Sequence, residues 1–446
     1  MTNATLWFSQ IQFFLSLGFM SLFLLIELGL AWVLLFFKLA AHRSGQAGWT
    51  LAYRFWVRVF ALAAILTLAS SMPVLIQLGS LWPALMDKIG NLAGPLLAGA
   101  ILTTFIFKSC FLGAMLFGQR RLSERLHTMV VLMVAVGATL AALWGVALLS
   151  WMQSPAGALL VNGQYLVTDW YEAVFNPMLG WLCGLLGASA ALTVAFLMLG
   201  VVAGQTLLHP PGDSERLAFR CALSVAVAGV VALGIAVAGY GLTVARHQPA
   251  KAAATAAYWR TGEQPDLVLF AWPDTAQGRN RAALTWRHAG GKWLGRDAQD
   301  RRLGLDSFSG MAPPVPLTFW SFRALLGVAG LMGLAAWLTY LRLRKRQFDP
   351  AGLPPWWRRL LAGMAFSGWL LGLAGLCHVL FGLAPYAVNH TITLSEIAGT
   401  ATPEALAGGI AAHLLVYGVL MLGFFQLLRH NARHGVVPVA RRRGRA

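Results

Sequence analysis

Charge is what this 446-residue chain has least of: 11% of its residues are charged, against 58% hydrophobic. An ordinary soluble domain carries about 25% charged residues. Too few polar side chains are present to coat a soluble surface of this size, which excludes a disordered chain, a nucleic-acid-binding domain and a plain cytosolic enzyme. Acidic residues are scarcest, with 16 Asp and Glu against 34 Lys and Arg. Cysteine is rare as well. Cys110, Cys183, Cys221 and Cys377 all lie in apolar segments and form no CxxC pair, so they read as buried thiols packing like small hydrophobes, not as a disulfide framework or a zinc site. There is no GxxxxGK[ST], HExxH or GxSxG, so soluble-enzyme chemistry has no foothold.

What is present is apolar sequence in long runs. A spanning helix needs roughly 20 mainly apolar residues. The chain offers about nine such runs, near 13–37, 59–80, 92–117, 128–151, 178–204, 218–245, 319–341, 360–381 and 406–428. The first is too long for a signal peptide and no basic leader precedes it, so it reads as a retained helix. The expected fold is an all-α integral membrane protein. Residues 1–245 carry helices one to six, 246–318 form a long loop, 319–430 carry helices seven to nine, and 431–446 form a basic tail.

Basic residues are distributed very unevenly. The loops after helices one, three, five and seven, with the C-terminal tail, hold Lys38, Arg43, Arg54, Arg58, Arg120, Arg121, Arg125, Arg216, Arg220, Arg342, Arg344, Lys345, Arg346, Arg358 and Arg359, then Arg429, Arg433, Arg441, Arg442, Arg443 and Arg445. The N-terminus and the short loops on the opposite side hold Lys88. By the positive-inside rule the N-terminus lies outside and the C-terminus inside, and the RRRGRA end is a topology signal or a lipid-headgroup contact. The loop 246–318 then lies outside, where its length exempts it from the rule. HQPAKAAATAAYW has helix-forming composition, whereas DLVLFAWPD and RAALTWRHAGGKWLG read as extended pieces. Turn signals stand at Trp272-Pro273-Asp274 and Ala312-Pro313-Pro314.

Ionisable residues inside spans are expensive, so each is a site candidate: Glu27 in helix one, Lys108 in helix three, His378 in helix eight, His413 in helix nine and Arg323 near the outer end of helix seven. Glu27 and Lys108 sit at similar depth and are expected to form an intramembrane ion pair, as a structural clamp or as part of a proton or ion relay. His378 and His413 are the residue type that ligates haem iron in an apolar bundle, or ordinary hydrogen-bonded packing histidines.

The order of short motifs is similar to a known family. Gln12-Phe13 opens helix one; Phe117-Gly118 and Arg121-Leu122 follow helix three; Ala142-Leu143-Trp144 precedes Trp151-Met152-Gln153 and Pro155. Glu172 and Asn176-Pro177 precede helix five, Gln248-Pro249 and Lys251 open the long loop, and Trp259 and Pro273-Asp274 follow. Phe322-Arg323 opens helix seven, and Gly382, Pro385 and Tyr386 keep the frame of a GRQPW element. In this order and spacing the chain resembles subunit I of the cytochrome bd quinol oxidases over nearly its whole length. The resemblance implies nine helices, an outer quinol-binding loop with Gln248, Pro249, Lys251 and Arg323, haem b and haem d, a subunit-II-like partner, and a place in the bacterial inner membrane.

The departures from that family fall on its haem sites. By resemblance, the helix-one histidine position holds Met20, the low-spin haem ligand positions hold Leu185 and Leu325, and the carboxylate positions hold Ala100, Lys108 and Leu380. Leucine cannot ligate iron, whereas a thioether can, so Met20, His378 and His413 are the candidate alternative ligands. The expectation is a haem-depleted structural or regulatory paralogue that binds no cofactor, with lipid and a second subunit as partners and quinol as a candidate ligand. The alternatives are a working quinol oxidase subunit with unusual ligation and a transporter-like reuse of the scaffold.

Overall fold

A computed structural model describes residues 3–262 and 265–434. Arg441, Arg442, Arg443 and Arg445 lie outside the described residues. Among the described residues nine helices are long and apolar enough to cross a membrane: Ala4–Ser44, Ala47–Ser80, Pro83–Phe117, Glu124–Gln153, Trp170–Gln205, Asp213–His247, Val315–Leu343, Pro355–Phe381 and Pro403–Arg433. They are called helices one to nine.

Most extend beyond the apolar runs. Helix two begins at Ala47 rather than near residue 59, because the turns carrying Arg54 and Arg58 continue the helix. Hydropathy detects the length immersed in hydrocarbon; the hydrogen-bond ladder runs on into the headgroup region. Helix eight is interrupted between Gly363 and Ser367. There Gly200 and Gly368 let helices five and eight touch, since an added Cβ at Gly200 would lie 2.6 Å from Ala365 Cβ.

The largest apolar cluster is built mainly on helices one, two and five and includes Phe23, Phe37, Trp56, Phe60, Phe196 and, from helix six, Phe219. Helices three and nine bury little: 6% and 11% of their most apolar windows. Cys110 is exposed on helix three, contrary to the expected burial, while Cys221 is buried and Cys183 and Cys377 are partly buried. Lipid is itself an apolar surrounding, so a thiol in a span has no need of the protein core.

One end of the bundle carries three small antiparallel hairpins: β1 (Ala158–Val161) with β2 (Gln164–Val167), β3 (Leu267–Asp274) with β4 (Arg279–Trp286), and β5 (Tyr386–Val388) with β6 (Ile392–Thr393). The first and third are tied on this loop face by Tyr165 OH, which donates to Thr391 Oγ1 at 2.7 Å, and Asn389 Nδ2 ties the third to the end of helix six by donating to His247 O at 3.0 Å. The long loop starts with the helix Pro249–Ala256 and continues into the β3–β4 hairpin, as its composition suggested, but the segment RHAGGKWLG expected to be extended turns after Trp286 and forms a short 3-10 helix at Gly291–Trp293. The turn lies elsewhere than expected. Trp272-Pro273-Asp274 ends β3, and the chain reverses just after it, where Asp274 Oδ1 accepts from Ala276 N and Gln277 N. Gly278, at φ +59°, closes the turn.

Candidate functional site

Two lysines organise the candidate polar chemistry, Lys108 in mid-bundle with its side chain 10% exposed and Lys251 fully buried at the loop face. Lys108 lies in a five-residue π-helical stretch, Phe105–Ser109, inserted in helix three. Such insertions are rare and shift the side chains that follow them around the helix. Here the ammonium reaches across to helix one, with Nζ 2.8 Å from Glu27 Oε1 and 3.1 Å from Oε2. The Glu27 side chain is 1% exposed and that of Lys108 10%, so the pair is withdrawn from lipid. Phe107 in the same stretch packs against Gly137 of helix four, where any side chain would collide with its ring and Cβ. A lateral groove of about 1070 Å³ between helices one, two, four, five and six is lined by Leu28, Trp32, Leu186 and Ala190, but not by Glu27 or Lys108.

Lys251 sits in the loop helix Pro249–Ala256 and is fully buried. Its Nζ donates to Tyr240 OH at 2.7 Å, Val379 O at 3.3 Å and Gln153 Oε1 at 3.4 Å. All three acceptors are neutral, so burial pushes the amine down to about 7. Gly382 makes room for the stem, because a Cβ there would lie 2.5 Å from Lys251 Cε. Gln248 Nε2 donates to Gln153 O at 2.8 Å, anchoring the loop helix to the end of helix four. Gln153 Nε2 and Gln248 Oε1 are buried at this site without hydrogen-bond partners among the described residues. Pro249 is the first residue of the loop helix, where its missing N–H costs nothing.

Arg323 lies near this site and does a different job. Its guanidinium donates to Thr255 O and, at 2.7 Å, to Val268 O, and it rests 3.7 Å from the centre of the Phe319 ring. It thereby pins both the loop helix and β3 to helix seven.

The histidines are engaged separately. His378 Nδ1 donates to Thr318 O at 3.3 Å, and its ring lies beside those of Phe322 and Tyr240. His413 Nδ1 donates to Gly409 O at 2.7 Å, and its Nε2 lies 3.2 Å from Gln77 Nε2. Gln77 in turn donates to Ser16 Oγ at 2.9 Å, as does Tyr417 OH at 3.1 Å. Sequence reasoning missed this Ser16–Gln77–His413–Tyr417 cluster because it searched the spans for charge alone. Uncharged Gln77 and Ser16 in apolar runs were the available signal. Tyr240, a partner of Lys251, was missed for the same reason.

The arrangement joins the helix bundle to a folded loop whose lysine is buried against helices four, six and eight. The match to the family model described as cytochrome bd terminal oxidase subunit I covers residues 8–436. The chain belongs to that family. Among curated relatives it is 24% identical over 387 residues to the cytochrome bd ubiquinol oxidase subunit 1 of Bacillus subtilis, covering 83% of this chain and 80% of the relative. It is 30% identical over 292 residues to the cytochrome bd-II ubiquinol oxidase subunit 1 of Escherichia coli, covering 62% of this chain and 54% of that one. The bd oxidase structure from Geobacillus thermodenitrificans superposes with a TM-score of 0.88 at 21% identity, over 97% of this chain and 99% of that one, a likeness of fold.

Membership in a haem-binding family makes the donor atoms at the resembled positions a test. Leu185, Leu325, Ala100 and Leu380 supply no donor, and Lys108 is held by Glu27. Leu325 is buried against helix eight at Gly375, whose added Cβ would lie 3.3 Å from it. On the same stretch of helix one as Met20, Phe19 stacks on Tyr417 of helix nine at 4.2 Å, and Phe23 meets Trp369 of helix eight and Phe424 of helix nine edge-on at 5.5 and 5.1 Å. At the level of Leu380, Phe14 stacks on Phe381 at 5.7 Å. Nε2 of His413 already faces Gln77, which leaves His378 Nε2 and Met20 Sδ as donors without a hydrogen-bond partner among the described residues. This donor set does not fit the family's haem sites.

Proposed function

We propose that this chain is a haem-depleted member of the cytochrome bd subunit I family, serving as a structural or regulatory subunit in a bd-type complex. It lies in the bacterial inner membrane with its N-terminus and long loop outside, beside a subunit-II-like partner. One observation carries the reading: the positions that resemble haem ligands and carboxylates hold Leu185, Leu325, Ala100, Leu380 and an already paired Lys108, with aromatic rings packed between helices one, eight and nine. The loss is coordinated across several helices, which a single drifted position would not produce. The thin burial of helices three and nine supports a membrane-embedded neighbour.

The test is a dithionite-reduced minus oxidised spectrum of the purified protein with pyridine haemochrome quantitation. The expected result is a spectrum without b- or d-type bands. Stoichiometric haem overturns the reading in favour of a working oxidase subunit, and Met20→Ala, His378→Ala and His413→Ala then identify the ligands.

Quinol binding at Lys251 is a second reading, favoured by Gln153 Nε2 and Gln248 Oε1, which are unpartnered at this site among the described residues. These atoms and Lys251 together supply donors and an acceptor suited to a hydroxyl or carbonyl oxygen. A quinol titration of the wild type and of Lys251→Met checks it: equal affinity removes Lys251 from the site.

A further inference from the structure

The β3–β4 hairpin presents an apolar face that the loop core does not use. Its inner residues Val268 and Ala271 are buried in the cluster with Ala253, Leu305 and Phe319. Other large side chains stand out: Phe270 is 48% exposed, Trp272 62% and Leu284 61%. Phe270 pairs with Leu284 across the strands. Both Phe270 and Trp272 pack on Trp320 of helix seven, with ring centres 5.1 and 5.8 Å away.

Trp320 fixes what covers this face. Running down helix seven at helical spacing from Trp320, the residues Ala324, Gly327, Leu331 and Leu334 are exposed and form an outward stripe within the span. That stripe faces lipid by virtue of its place on a spanning helix. The hairpin ring pair therefore continues the lipid-facing surface past the helix end. Tryptophan at such an end marks the membrane–water boundary.

The hairpin cannot swing away from this position. Arg323 holds Val268 O, Trp259 Nε1 donates to Asn280 Oδ1 at 2.8 Å, and Asn280 Nδ2 donates to Ala257 O at 2.9 Å. The outer edge of β4 is unpaired, so its backbone must stay hydrated, which sets the depth at the headgroups and excludes the hydrocarbon centre. Exposed Arg279 and Arg287 bring cationic groups to the same strand and its end, suited to lipid phosphates.

We propose that the β3–β4 hairpin is a membrane-interface anchor whose Phe270–Trp272–Leu284 face rests on the lipid of the leaflet that Trp320 meets. It ties the loop carrying Lys251 to the bilayer surface, whatever the haem content of the bundle.

The test uses the full chain in nanodiscs of phosphatidylethanolamine and phosphatidylglycerol, doped with a phospholipid bearing a diazirine near its glycerol backbone. After irradiation, adducts are mapped by peptide mass spectrometry. Adducts are expected on residues 267–286 and on helix seven. The variant Phe270→Ser/Trp272→Ser/Leu284→Ser should lose the hairpin adducts while keeping those on helix seven, which report that the bundle is intact. A wild-type hairpin without adducts beside a labelled helix seven overturns the anchor. Unchanged hairpin labelling in the triple variant also overturns it.

Discussion

Lys108 and Lys251 are both largely withdrawn from solvent, and the protein accommodates them by opposite means. Lys108 lies deep in the bundle and meets a full counter-charge in Glu27. Lys251 lies at the loop face and meets a phenol, an amide oxygen and a backbone carbonyl. In mid-span a lone ammonium has no water to retreat to, so only an opposite charge makes it tolerable. At the loop face neutral dipoles suffice, because the amine can shed its proton near neutral pH. One lysine is a fixed charge within a pair; the other is a titrating group held by the fold.

Removing one half of the pair should break the comparison most severely. Glu27→Gln strands the Lys108 ammonium and should cost about 3–5 kcal/mol. Thermal unfolding in nanodiscs reads the loss, and the double variant Glu27→Gln/Lys108→Met should recover most of it. A double variant as unstable as the single would show that the two residues do not act as a pair.

The loop-face lysine should reveal itself by pH. Its amine titrates near 7 in the folded protein and at the ordinary, higher lysine value when unfolded. Between those values the unfolded chain holds the extra proton, so stability should rise with pH at up to about 1.4 kcal/mol per unit. Below about 7 both states are protonated, and this contribution is flat with its full penalty present. Lys251→Met should remove that slope, and a matching slope in the variant assigns it to another group.

Two glycines sharpen the contrast through packing. Gly382→Ala places a methyl 2.5 Å from Lys251 Cε and 2.6 Å from His378 O, with backbone on one side. Gly137→Ala collides with Phe107, next to Lys108. Each should cost about 1–3 kcal/mol by forced displacement. Gly382→Ala should also alter the pH slope, whereas Gly137→Ala should leave it unchanged; paired melts across pH separate the two.

The smallest effect belongs to an exposed pair on the same loop face. Lys88 Nζ lies 2.8 Å from Glu396 Oε2, and that hydrogen bond, with those from Thr393, holds the Glu396 carboxyl down at about 2. Water screens both partners, so Glu396→Gln should change stability by less than about 1 kcal/mol. A larger change in the same melts would mean that surface charge matters here as much as buried charge.

Particular residues show how much was legible beforehand. Glu27 and Lys108 stood out because charge in an apolar run has few explanations, and their similar depth followed from counting turns. Lys251 was named through family resemblance; its neutral partners come from helices four, six and eight, which no local pattern connects. The extended pieces of the loop became β3 and β4, yet the turn was misplaced because Pro273 looked like a breaker, while the Asp274 carboxylate nucleates the reversal one step later. The π-helical stretch had no sequence signature, and the contact of its Phe107 with Gly137 joins residues of two different helices.

By itself the sequence determined the solvent of this protein and the number of times it crosses it. Apolar length and scarce charge are properties of each segment, and hydrocarbon enforces helix wherever they occur. The tertiary structure alone decided which buried polar atom meets which, which aromatic rings pack between helices one, eight and nine, and that the hairpin lies against helix seven. Those outcomes depend on distances between segments far apart in the chain, and only packing sets such distances.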